Sequence, residues 1–122
     1  MTERFGEMVR RIRLEQKLTL REFCLAHGFD PGNISKIERC VLPPPRHDDI
    51  LSRYASALGI KSGEETWFTL LDCAAAESGD IPSDLKKDER LLRCLPIIVQ
   101  SIRGDKLERK DIDRLVEIIR EG

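Results

Sequence analysis

Apolar positions recur every three or four residues along most of the chain, which predicts a succession of amphipathic helices. Phe5, Met8, Val9 and Ile12 share one face of a first helix expected from about Thr2 to Gln16, with Lys17 ending it. Thr19 and Glu22 have capping-box spacing: the hydroxyl accepts from an early backbone amide while the carboxylate reaches back to the cap, so a second helix starts at Leu20. Phe23, Cys24 and Ala26 form its apolar side. Gly28 supplies the positive backbone angle for a sharp turn after His27, whose own expected role is to cap the helix end. Asp30 suits the N-cap of a third helix and Pro31 its first position, where a missing amide costs nothing; Ile34 and Ile37 then point inward.

Pro43, Pro44 and Pro45 cannot lie inside a helix, so Val41 to Arg46 reads as a stiff extended link. A fourth helix follows from about Asp48 to Leu58, with Ile50, Leu51, Tyr54, Ala55 and Leu58 at helical spacing and Gly59 at its end. Ser62 and Glu65 predict a second capping box, opening a fifth helix whose Trp67, Leu70, Leu71 and Ala74 close the first core.

The sequence changes character at Ser78. SGDIPSD reads as a turn or linker, which separates a first domain over 1–77 from a C-terminal region over 78–122. In that region Leu91, Leu92, Leu95, Ile98, Val99 and Ile102 make an apolar face interrupted by Pro96, which predicts a kink or a fresh helix start. Gly104 and Asp105 break the chain again. Ile112, Leu115, Val116 and Ile119 form a last stripe ending near Gly122. Two short helices cannot bury such faces alone. They must fold back on the first domain, pair with a second copy or bind another protein.

Composition bounds the function. A chain of 122 residues, 40% hydrophobic and 35% charged, holds one ordinary domain or a small domain with an appendage. No stretch approaches the roughly 20 apolar residues of a membrane span, and the N-terminus lacks the apolar core of a signal peptide. The expectation is a cytoplasmic protein with no membrane contact. Cys24, Cys40, Cys73 and Cys94 lie far apart with no pair at zinc-site spacing, so buried thiols are expected, with no metal and no cofactor. His27 and His47 are the only histidines and form no HExxH arrangement. No glycine-rich loop could cradle a nucleotide, and no pairing suggests a base and a nucleophile; enzymatic activity is not expected.

The net charge of −1 hides an asymmetry: the chain carries +3 through Gly63 and −4 from Glu64 onward. A basic front half can approach phosphates, whereas an acidic, apolar-striped back half more naturally meets protein.

One set of residues carries a family resemblance. Leu18, Thr19, Glu22, Phe23, Gly28, Phe29, Ile34, Ser35, Ile37 and Glu38, followed by Leu58 and Gly59, match in register the helix-turn-helix of the phage repressor and xenobiotic-response-element (Cro/C1-type) regulators. The resemblance covers about the first sixty residues, with the motif at about 19–39. It implies an all-α protein: a five-helix, repressor-like helix-turn-helix domain followed by a short helical extension. It further implies an ion pair between Arg13 and Glu38, and a recognition helix from Pro31 to Arg39 lying in the major groove of a double-stranded DNA operator.

Carried over by position, Pro31, Gly32 and Lys36 face base edges. Pro31 and Gly32 offer no side-chain donor or acceptor, so hydrogen-bonded reading leans on Lys36, Asn33 and Ser35, with DNA shape supplying the rest. Arg21, at the start of the second helix, and Arg39 and Arg46, in the loop after the third, are the candidate phosphate contacts; Arg46 could instead enter a minor groove. Cys40 departs from the glycine usual after the recognition helix, which implies a reshaped loop. A looser resemblance extends through the proline link, the IPSDL turn and the LP-containing helix. It implies a prophage-like or stress-linked repressor, dimeric and acting on its own or neighbouring genes. The alternative is an antitoxin or protease-controlled repressor whose C-terminal helices hold a toxin or a zinc metallopeptidase, with DNA binding secondary. Leu92, Leu95, Ile98, Val99 and Ile102, with Ile112, Leu115, Val116 and Ile119, are the candidate dimer or partner surface.

Overall fold

A computed structural model describes residues 3–121. Among them the protein is all-helical, with α1 (Phe5–Glu15), α2 (Leu20–His27), α3 (Pro31–Glu38), α4 (Asp48–Ala57), α5 (Glu65–Glu77), α6 (Glu89–Arg103) and α7 (Arg109–Arg120). The chain divides into two compact units, one through Ile81 and one from Pro82. No helix among the described residues is long and apolar enough to cross a membrane.

In the first unit the apolar stripes of five helices converge. Phe5, Met8 and Val9 of α1, Phe23 and Cys24 of α2, Ile34 of α3, Leu51, Tyr54 and Ala55 of α4, and Leu70 and Ala74 of α5 are all buried in one core. α1 packs against α3 and α5, α2 against α3, and α4 against α5. The α1–α3 crossing is close enough to need a glycine: a methyl on Gly6 would lie 2.9 Å from the Ile37 carbonyl carbon and closer still to its oxygen.

Local signals set several helix ends, and distant residues set others. α1 begins at Phe5 rather than near Thr2, which lies outside the described residues. The backbone amide of Arg4 donates to Glu7 at 3.0 Å, and that of Phe5 donates to Glu77, at the end of α5, at 3.1 Å. An acid from another helix thus takes over an amide that α1 itself leaves unsatisfied.

At α2 the Thr19 hydroxyl accepts from the Glu22 amide at 3.1 Å, but the Glu22 carboxylate accepts from that hydroxyl at 2.9 Å instead of from the backbone. The expected Ser62–Glu65 box does not form. Gly63 adopts φ +89° between the two, and α5 opens after Glu64 with no side-chain hydrogen bond at its cap. Cys40 takes a left-handed φ of +62° despite its side chain, and the Val41 and Leu42 amides close on the Lys36 carbonyl at 2.8 and 3.2 Å.

The second unit is a helical hairpin. Asp88 caps α6 by accepting from the Arg90 and Leu91 amides at 2.9 and 3.1 Å. α6 then runs unbroken through Pro96, so the proline starts no new helix. Its ring is on the exposed side, where solvent can serve the backbone carbonyl it leaves without a donor. α7 returns antiparallel: Arg90 Nη1 donates to the Ile119 carbonyl at 3.3 Å, and Arg93 pairs with the Glu121 carboxylate. Cys94 and Ile118 are the buried residues of the two helices. The expected stripe end at Gly122 lies outside the described residues.

Candidate nucleic-acid interface

The site starts from a turn of three residues. α2 ends as Gly28 adopts φ +69°, and the Phe29 amide returns to the Cys24 carbonyl at 3.0 Å. Asp30 then opens α3 by accepting from the Asn33 amide at 2.9 Å, with Pro31 at the first helical position. Aromatic packing sets the angle of the turn. Phe29 stacks on Phe23 with ring centroids 5.7 Å apart and meets Tyr54 of α4 at 4.9 Å. The His27 ring makes no cap; it leans on Phe23 at 5.6 Å, and the helix is closed by backbone. Burial pushes the Tyr54 phenol up to about 12 and the Cys24 thiol above its usual range.

A buried ion pair holds α3 from behind. Arg13 Nε donates to Glu38 Oε2 at 2.8 Å and Nη2 to Oε1 at 2.9 Å, while Nη1 donates to the Leu18 carbonyl at 2.7 Å. Both residues are only 6% exposed. The hydrogen bonds to Glu38 are the main reason the Arg13 guanidinium holds its proton even more tightly than usual. One side chain therefore ties together α1, the link before α2 and the end of α3.

The outward face of α3 follows from the same geometry. With Ile34, Ile37 and Glu38 turned inward, helical spacing places Gly32, Ser35, Lys36 and Arg39 on one face; Asn33 lies to one side of it, and Pro31 at its edge. Lys36, Asn33, Gly32 and Pro31 are exposed, Ser35 is half-buried, and Arg39 donates to the Ser35 hydroxyl at 3.4 Å. Arg21 is exposed in the first turn of α2, and Arg46 is exposed after the prolines. Arg21, Lys36, Arg39 and Arg46 form no ion pair among the described residues, so α2, α3 and the link that follows carry four unneutralised cations. Exposed Glu22 and Asp30 sit beside them as opposing charge, engaged at the two helix caps.

Sequence reasoning missed Arg53. From α4 its guanidinium lies 5.0 Å from the Phe29 ring centroid, and Nη2 donates to the His27 carbonyl at 3.5 Å, so it bears on the turn and on the end of α2 at once. Nothing in its local spacing marks it, because both partners lie more than twenty residues away.

The candidate partner residues belong to the hairpin. Leu92, Ile98, Val99, Ile102, Ile112, Val116 and Ile119 are exposed, and Leu95 and Leu115 are half-buried. Among the described residues no three or more His, Cys, Asp or Glu side chains cluster as a metal site, and all four cysteines are free thiols. Comparison of the chain with protein-family models, curated proteins and solved structures finds no match.

Proposed function

We propose that the first unit is a five-helix, repressor-like helix-turn-helix domain and that the protein is a sequence-specific DNA-binding regulator, a cytoplasmic repressor of its own or neighbouring genes. α3 enters the major groove and α2 crosses the backbone. Lys36 and Asn33 reach base edges, and Arg21, Arg39 and Arg46 meet phosphates. The reading needs no metal, cofactor or catalytic group.

The observation that carries it is the pairing of a rigid support with an uncommitted surface. Arg13–Glu38 and the Phe29 cluster fix α3 from inside, while Lys36 projects from its outer face with no ion-pair partner among the described residues. A cation held out on a short, capped helix is suited to an anionic groove.

The test is binding to duplex DNA from the chain's own promoter across a salt series, followed by selection of bound sequences from random DNA. Affinity falls steeply with salt, and Lys36→Ala lowers it by about tenfold, the scale of one lost base contact. Absent or salt-insensitive binding sinks the proposal. The apolar face of the hairpin favours a second reading, an antitoxin or protease-controlled module that binds a toxin or metallopeptidase with DNA secondary. The same salt series separates the two.

A further inference from the structure

The hairpin of α6 and α7 is two-faced. Viewed from its own N-terminus, each helix carries its exposed apolar residues clockwise of the seam: Leu92 and Val99 beyond Cys94 in α6, Ile112 and Val116 beyond Ile118 in α7. Because the helices run in opposite directions, both arcs open on the same side of the hairpin. The opposite side is closed by the Arg93–Glu121 pair and the Arg90 bond to the Ile119 carbonyl. Among the described residues the apolar side has no such closure. Ile102 is 72% exposed and Ile119 59%, and a groove of about 400 Å³ lined by Ile98, Ile102, Leu107 and Leu115 opens at its loop end.

We infer that this face binds the same face of a second copy of the chain, stacking two hairpins into a four-helix bundle. The inference does not depend on DNA binding. Area is the first argument. Seven aliphatic side chains of α6 and α7, each more than a third exposed, share this face, and a contiguous apolar patch of that kind is what an interface between chains buries.

Charge is the second argument. Glu89, Arg103 and Arg120 stand at the outer edges of the face and have no ion-pair partner among the described residues. A two-fold axis lying in the plane of the face admits two arrangements. With the axis along the helices, α6 covers α7 of the second copy and Glu89 meets Arg120 of that copy. With the axis across them, α6 covers α6 and Glu89 meets Arg103. Either way the acid faces an arginine, so the rim complements itself.

Sedimentation equilibrium of the full chain up to about 100 µM tests this. The expected species has twice the 14.0 kDa chain mass. Ile102→Glu and Val116→Glu, each at an exposed position, weaken association at least tenfold with helix content by circular dichroism unchanged. Glu89→Arg also weakens it, and adding Arg103→Glu or Arg120→Glu restores it; the one that restores identifies the axis. A wild-type chain that stays at monomer mass, a dimer indifferent to both apolar substitutions, or an assembly larger than two overturns the inference.

Discussion

Gly6 of α1 packs directly against the backbone of Ile37 in α3, with no room for a side chain between them. The contact sets how closely the first helix approaches the helix proposed to read DNA. It lies one residue before Glu38, so the same short stretch of α3 is held by backbone packing and by a buried ion pair.

Gly6→Ala is therefore expected to destabilise the first unit even though alanine is the better helix former by about 1 kcal/mol. Forcing the helices apart costs about 1–3 kcal/mol, as overpacked cores do, and outweighs that gain. Urea unfolding of wild type and variant measures the difference. A variant equal to or more stable than wild type would show that the crossing relaxes freely.

Glu38→Ala removes the carboxylate and leaves the Arg13 guanidinium buried with only the Leu18 carbonyl for a partner. The expected loss is about 3–5 kcal/mol. Replacing both residues, as Arg13→Met with Glu38→Leu, recovers most of it because no charge is then stranded. A double variant no more stable than the single one would mean that the pair is needed for more than its own neutralisation.

Tyr54 is the chain's one tyrosine, so its ionisation can be followed without interference in the near-ultraviolet absorbance of tyrosinate. Burial raises its pKa to about 12, against about 10 in an unfolded chain. The unfolded state loses the proton first. The stability that depends on the neutral phenol is complete below about pH 10 and is lost as pH rises toward 12. Native titration near 10 would show the ring to be solvated.

Acid acts on the hairpin with the opposite sign. The Leu91 amide and the Arg90 side chain hold Asp88 below the usual carboxylate range, as Lys106 and Lys110 do for Glu108 and Arg93 for Glu121. These groups support the hairpin above their ordinary values, near 4, and lose that support as pH falls through their lowered ones. Asp88→Asn keeps acceptors for the cap but cannot titrate, so the variant's helix content falls less steeply in acid. Identical acid profiles would remove Asp88 from the account.

Helices and their ends were legible wherever the cause is local. Thr19 and Asp30 act on amides three residues ahead, and Gly28 turns the chain by its own backbone angle; short-range causes of this kind can be read from spacing. The same reasoning failed at Ser62 and Glu65, where the +89° angle at Gly63 places the two out of capping register. Arg13 and Glu38 were singled out by resemblance to a family, since no spacing rule joins residues that far apart. The structure has them as a two-bond ion pair.

The sequence by itself determined an all-helical chain, the order of its stripes and the change of character after Ser78, because periodicity and capping depend on near neighbours. Only the tertiary structure decided that Glu77 caps α1, that Arg53 bears on Phe29 and that Gly6 meets Ile37. It also decided that both apolar arcs of the hairpin open to one side. Those are relations between residues brought together by packing, and a chain's order carries no record of them until its cores have formed.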